Sequence, residues 1–326
     1  MVSLPYFKAP KPFLLAILVS TPVWTSPTPG PGRTATLSRS GGVKWDLVPR
    51  TVTTLSSEDI SSYTPFTQFA RAAYCDPAII ENWTCGGACD ANPGFQTTLT
   101  GGDGADIPHF FVGYWSAQNA AVVSHEGTDP SQFLSLLIDA DINKASLDAS
   151  LFPGVPSDAQ VHQGFRDSHQ ATASIILSEL NNLIGSKGTT SVIVVGHSLG
   201  GAIAELDTLF LRLNLPSSIS VRGVTYGTPR VGVPAFADYF DSKVDNFRRI
   251  NHALDPIPIV PGRELGFSHV AGEIHIIGPD QWNSCSGDDD TEPGCTISEV
   301  PNVFASDITD HLGPYQGEWI GTNFCN

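Results

Sequence analysis

The run Gly196-His197-Ser198-Leu199-Gly200 is the part of this 326-residue sequence whose residue types and spacing most directly imply chemistry. It follows Ser191-Val192-Ile193-Val194-Val195, a β-branched run suited to a buried parallel strand, and precedes a helix-like stretch over 201–213. A sharp strand-to-helix turn forces Ser198 into a strained conformation and lifts its hydroxyl out of the sheet. Glycines two residues to either side let the flanking backbones approach, and Gly201 and Ala202 add room. The helix that follows aims its first N–H groups at negative charge developing beside the hydroxyl. A glycine-rich turn capped by an ordinary serine would share the five-residue pattern. Strand, helix and trailing glycine together favour a serine nucleophile for acyl transfer.

Such a serine needs a base and an acid, and on this strand–turn–helix arrangement they follow it in the order acid, then histidine. Of the nine histidines, only His252, His269, His275 and His311 lie beyond Ser198. His252 ends a strand-like segment and leaves little chain for an acid before it, while His275 falls inside the alternating run 270–278. His311 sits in Asp310-His311-Leu312-Gly313-Pro314-Tyr315, a turn-rich late segment of the kind that can bring an imidazole back to the serine. His269 is the main rival, read as a structural histidine. For the acid, Asp255 lies in Leu254-Asp255-Pro256-Ile257-Pro258 just past a strand end, where the prolines fix the loop. A carboxylate there can orient the imidazole and stabilise its charged form. Asp238, Asp241 and Asp245 read as solvent-facing residues on a helix and its exit, and Asp207 lies within the helix after Ser198.

Other chemistries find less support. The formal net charge is −16, from 17 basic and 33 acidic residues, so nucleic acid and anionic membranes are repelled. No cysteine pair or histidine cluster has zinc spacing. Asp288-Asp289-Asp290 lacks calcium-loop spacing and is expected to be a solvated acidic loop. Neither a metal nor a cofactor is expected.

The elements that must position these residues alternate. Helical spacing covers 57–74 and 164–183, with further helical stretches at 201–213 and 233–241. Strand patterns cover 109–115, 120–124, 191–195, 219–226, 246–251 and 272–277. The expected fold class is α/β: a mostly parallel sheet with helices on both faces in a single domain over 51–326. Residues 1–26 carry Lys8 and Lys11 ahead of the short apolar run Phe13 to Val19, which suits a signal peptide and is too short to span a bilayer. Residues 27–50, rich in Pro, Gly, Ser and Thr, read as linker or pro-segment. Six cysteines agree with secretion, and local spacing favours Cys85–Cys89 and Cys285–Cys295, leaving Cys75–Cys325. Asn82-Trp83-Thr84 is a glycosylation sequon. No other segment is long and apolar enough to cross a membrane.

Together, Val192 to Ala202, Val161-His162-Gln163-Gly164-Phe165, Tyr226-Gly227-Thr228-Pro229-Arg230-Val231-Gly232, Asp255-Pro256-Ile257-Pro258, Gly266-Phe267-Ser268-His269 and Asp310-His311 resemble the fungal class 3 lipases, which include triacylglycerol lipases and related feruloyl esterases. The resemblance covers roughly 60–325 and implies the α/β-hydrolase fold. It implies the triad Ser198, Asp255 and His311, with Thr128 of Gly127-Thr128 and Leu199 donating backbone N–H groups to an oxyanion. Family members often carry Phe-Arg before that glycine, where this chain has His125-Glu126. The family's bridge between N-terminal helix and C-terminus is similar to Cys75–Cys325.

The family's lid follows the oxyanion loop, here 129–143. Asp129 can cap a helix with Pro130 at its first position. Phe133, Leu134, Leu136, Leu137 and Ile138 then supply an apolar surface, although a core-packed helix would share this composition. Feruloyl esterases of the family have more polar lids. The resemblance therefore implies a secreted triacylglycerol lipase that works as a monomer on lipid or ester at a lipid–water interface. The alternatives are a feruloyl or other short-acyl esterase, and a silent lipid-binding member, which should have lost a triad residue.

Overall fold

The computed structural model describes residues 51–138 and 142–325, and the backbones of 33–37 and 43–47. The expected signal peptide at 1–26 and much of the expected linker at 27–50 lie outside the described residues. Within that linker, Arg33–Leu37 pairs antiparallel with Val43–Leu47. The order Val43-Lys44-Trp45-Asp46-Leu47 alternates apolar and polar residues, a strand period that its surroundings of Pro, Gly and Ser obscured.

Residues 49–326 form a compact unit of their own. Its nine-stranded sheet comprises β1 (Val52–Thr54), β2 (Phe95–Gly101), β3 (Phe110–Trp115), β4 (Ala120–His125), β5 (Ser191–His197), β6 (Ser220–Tyr226), β7 (Phe247–His252), β8 (Glu273–Gly278) and β9 (Gln281–Cys285). The spatial order is β1-β9-β8-β7-β6-β5-β4-β3-β2. The five central strands β4 to β8 run parallel, and antiparallel partners close both edges. Alternation along β5 explains its β-branched run. Val192 and Val194 enter one apolar core, while Ile193 and Val195 enter the other on the opposite face. The outer strands β1, β2 and β9 escaped the sequence reading because they are short or polar.

Helix α1 (Thr64–Ala72) packs on one face. The single helix expected over 57–74 is divided: Ser57–Ser61 forms a separate turn capped by Ser56, and Pro65 restarts the chain near the head of α1. After α2 (Pro130–Leu137), α3 (Gln163–Lys187) and α4 (Leu199–Asn214) contribute to the core on the other face. Phe165, Ala173, Ile176, Leu180 and Leu183 make the stripe that seats α3. Helix α5 (Pro234–Asp241) adds Phe236 and Phe240.

The disulfides join Cys75 to Cys325, Cys85 to Cys89 and Cys285 to Cys295, as spacing suggested. The first closes a separation of 250 residues, for which the chain-entropy model gives about 5 kcal/mol. No helix of the described residues is long and apolar enough to cross a membrane.

The acidic loop departs from expectation. Asp289 is not solvated but accepts from Arg230 at 2.9 Å, and the buried Asp290 accepts from the backbone N–H groups of Ser286 and Glu292. Asp241, expected to face solvent, accepts from the N–H of Ala271 at 3.1 Å. Unmet N–H groups and the Arg230 guanidinium draw these carboxylates inward, an effect that charge density along the sequence does not reveal.

Candidate active site

Ser198 occupies the turn between β5 and α4 with φ 61° and ψ −127°, a left-handed geometry strained for any residue with a side chain. Packing holds it there. The Ser198 N–H donates to the Tyr226 carbonyl at the end of β6. A Cβ on Gly196 would sit 2.1 Å from the Gly200 oxygen, and one on Gly200 would sit 2.4 Å from the His125 oxygen. The motif's glycines are therefore required by backbone crossing backbone.

Past β7, the chain turns through Ala253 and Leu254 to Asp255. One oxygen of the Asp255 carboxylate accepts from the Ile257 N–H at 2.8 Å, and the other lies 2.9 Å from His311 Nδ1. A carboxylate only accepts, so Nδ1 carries the proton and Nε2 of the neutral ring presents its lone pair. Asp255, His311 and Ser198 are all buried. Among the described residues, neither His311 Nε2 nor Ser198 Oγ has a hydrogen-bond partner.

Several contacts bring these loops together. A Cβ on Gly227, which follows Tyr226, would lie 2.7 Å from the His311 ring and 2.9 Å from Asp255 Oδ2. Leu254 N–H donates to Asp310 Oδ2 at 2.9 Å, and Asp307 N–H donates to the Leu254 carbonyl at 2.9 Å. His252 Nδ1 lies 3.1 Å from the Asp310 carbonyl. His269 Nε2 donates to the Pro258 carbonyl at 2.6 Å, which gives that rival histidine a place in the loop beyond Asp255. His275 bonds the Ala253 carbonyl.

Two side chains tie this assembly together without being marked by the sequence reading. His197 Nε2 bonds the His311 carbonyl at 2.8 Å, and its Nδ1 meets the Tyr74 hydroxyl at 2.6 Å. The carbonyl fixes Nε2–H as the donor, so Tyr74 donates to Nδ1. Burial, aided by His311 nearby, holds His197 well below the usual histidine value and therefore neutral. Burial likewise pushes the Tyr74 hydroxyl up, and the Gly127 N–H bonds the same oxygen. His197 was legible as a motif residue, whereas Tyr74 gave no signal.

The Gly127-Thr128 loop lies against the serine: a Cβ on Gly127 would fall 2.8 Å from Ser198 Cβ and 2.7 Å from the His197 oxygen. Leu199 opens α4, where the first N–H groups lack intrahelical partners. Behind this loop, His125 Nε2 lies 2.6 Å from Asp207 Oδ2, and His169 Nε2 lies 3.1 Å from Oδ1. Burial would raise Asp207, yet hydrogen bonds from the two imidazoles bring it down to about 2. One carboxylate on α4 thus ties the end of β4 to α3.

Asp129 caps α2 as expected, accepting from Ser131 and Gln132 N–H groups at 3.0 Å. Phe133 and Leu137 are buried and Leu134 partly so, whereas Leu136 and Ile138 face solvent. The five apolar residues therefore divide between two sides of the helix. Asn82 is exposed at the end of the Pro77–Glu81 turn.

A sequence model described as lipase (class 3) matches residues 122–265. A lipase of Rhizomucor miehei is 30% identical over 281 residues, covering 83% of this chain and 71% of that protein. A secreted mono- and diacylglycerol lipase of Malassezia globosa is 27% identical over 269 residues, covering 81% and 83%. The solved triacylglyceride lipase of Rhizomucor miehei superposes with TM-score 0.72 at 26% identity, covering 85% of this chain and 100% of that one.

Proposed function

We propose that this chain, which belongs to the class 3 lipase family, is a secreted lipase that hydrolyses the esters of triacylglycerols through a serine acyl-enzyme. The observation that carries the reading is the 2.9 Å contact between Asp255 and His311, in loops packed against the strained turn at Ser198.

His311 Nε2 takes the Ser198 proton as Oγ attacks the ester carbonyl, while Asp255 holds the ring and stabilises its charge. The N–H groups of Leu199 and Thr128 receive the oxyanion, where losing one donor removes about 3–4 kcal/mol of transition-state stabilisation. His311 then protonates the departing glycerol oxygen. A water deprotonated by the same nitrogen attacks the acyl-serine, and His311 then gives that proton to Ser198 Oγ as the fatty acid leaves. No step needs a metal or cofactor. Helix α2 acts as the lid, with Phe133 and Leu137 on its inner side. The enzyme works as a monomer at the lipid–water interface.

The substrate is tested by comparing triolein, diolein and methyl ferulate. Triolein as the preferred ester supports the reading. Diolein hydrolysis without triolein hydrolysis would align the chain with the mono- and diacylglycerol lipases, and methyl ferulate preference would replace lipase by feruloyl esterase.

A further inference from the structure

A cavity of about 540 Å³ lies between the chain entering α1, the ends of β7 and β8, and the loop that follows His311. Its volume falls within the range of small-molecule sites. Ile60, Ile276, Ile277, Pro279, Pro314 and Trp282 give it a largely apolar wall, and Ser198, Asp255 and His311 stand outside that wall.

His252 is part of the same wall. Its Nδ1 lies 3.1 Å from the carbonyl of Asp310, the residue before His311. A carbonyl only accepts, so Nδ1 carries the proton, and the lone pair on Nε2 meets no donor among the described residues. Burial holds His252 below the usual histidine value and keeps the ring neutral. Trp282 has the opposite need: it is fully buried, and its Nε1–H finds no acceptor among the described residues. Buried donors left unmet are uncommon and call for an explanation. Hydroxyl groups satisfy both needs, because each can donate and accept. The Asp280 carboxylate in the same wall disfavours an anionic occupant.

The cavity also borders the turn that positions the base. Asp310 is held twice by residues past β7, its carbonyl by His252 and its carboxylate by the Leu254 N–H at 2.9 Å. Between them stands Ala253, with a φ of 42° that is strained for a residue with a side chain, and Ala253 lines the cavity too. Resting on the lipase reading, we infer that this cavity is a second, non-catalytic site for the hydroxyl-bearing product, a monoacylglycerol, whose hydroxyls meet His252 Nε2 and Trp282 Nε1. Donation to Nε2 polarises the imidazole and strengthens its bond to the Asp310 carbonyl. A ligand that prefers this arrangement of the His311 loop increases its population. The product therefore speeds later turnovers.

The test uses the full chain labelled at Ser198 by an alkyl phosphonate, so that the acyl site is occupied. The probe is 1-O-hexylglycerol, which has the product's hydroxyls and no ester. Calorimetric titration should show one saturable site, with sodium hexanoate binding about tenfold more weakly or worse. His252→Phe keeps the ring's bulk but removes the acceptor, and should weaken probe binding about threefold to tenfold. His252→Gln, which can donate to Asp310 and accept from the probe, should recover part of that loss. Ile277→Asp, at the 43% exposed edge of the cavity, should weaken binding without touching the bond to Asp310. Unchanged thermal unfolding establishes that each variant is folded. On unlabelled enzyme and a soluble butyrate ester, the probe should raise kcat about twofold or more with KM unchanged, and His252→Phe should abolish the rise. Absence of saturable binding to the labelled enzyme overturns the site, as does hexanoate binding as tightly as the probe. A probe that only raises KM competes at the acyl site and also overturns it. Failure of the unlabelled enzyme to hydrolyse triolein removes the lipase reading, whereas triolein hydrolysis without probe binding removes the second site alone.

Discussion

His197 and His311 are joined by a buried hydrogen bond of 2.8 Å from the ring of one to the carbonyl of the other. The residue preceding Ser198 thus holds the backbone of the proposed base, and Tyr74 holds His197 in turn at 2.6 Å. Position is transmitted to the imidazole through a neutral ring, so this linkage should not titrate at moderate pH.

Tyr74→Phe removes the donor to His197 Nδ1 and keeps the ring volume. An unmet buried acceptor costs about 1–3 kcal/mol. Small displacements of a base lower kcat by up to about 100-fold. Steady-state kinetics on a soluble ester should show kcat falling with KM little changed, together with a lower unfolding midpoint. A change in KM alone would detach Tyr74 from the base.

Asp207→Asn should destabilise the fold by about 3–5 kcal/mol at neutral pH, because two buried imidazoles lose their common carboxylate. The native carboxyl titrates at about 2, below its ordinary 3.8. A depressed acid contributes stability that is fully present above the unfolded value and is lost as pH falls through the folded one. The stability gap between wild type and Asp207→Asn should therefore narrow between pH 4 and pH 2, as read by denaturant melts. A gap constant over that window would contradict the assignment.

Glu205, two residues earlier on α4, behaves oppositely. It is buried, and its Oε2 has no hydrogen-bond partner among the described residues. Burial pushes it up to about 8 despite the attraction of Arg249. A raised acid contributes stability that is fully present below its unfolded value, ordinarily 4.5, and lost as pH rises through about 8. Glu205→Gln should thus be nearly neutral at pH 4 and stabilising at pH 9, seen as a rise in Tm only at the higher pH. Equal Tm shifts at both values would contradict it.

The chemistry-bearing residues were more legible than the contacts that hold them. Ser198 announced itself because a strand, a sharp turn and a helix each impose a local residue requirement, and those requirements overlap in one pentapeptide. The parallel core was legible for a similar reason, since β-branched runs buried on both faces have few other uses. Asp255 and His311 are 56 residues apart, and they were found by chain order, elimination and family resemblance rather than any local signal. Tyr74, Asp207 and the inward turn of Asp289 depend on which groups meet across the fold. The outer strands were missed because short or polar runs satisfy a ladder without a periodic apolar signature. Both outcomes appear in α2: the Asp129 cap is a local rule and held, whereas the division of its leucines between core and solvent depends on what lies beneath.

The central claim is that Ser198 is the nucleophile served by His311 and Asp255, and covalent trapping tests it most directly. Incubation with a serine-directed alkyl phosphonate, followed by peptide mass spectrometry, should place a single adduct on Ser198. Labelling should vanish in Ser198→Ala and slow by orders of magnitude in His311→Ala and Asp255→Asn. Wild-type ester hydrolysis by Ser198→Ala, or an adduct on another residue, would contradict the account.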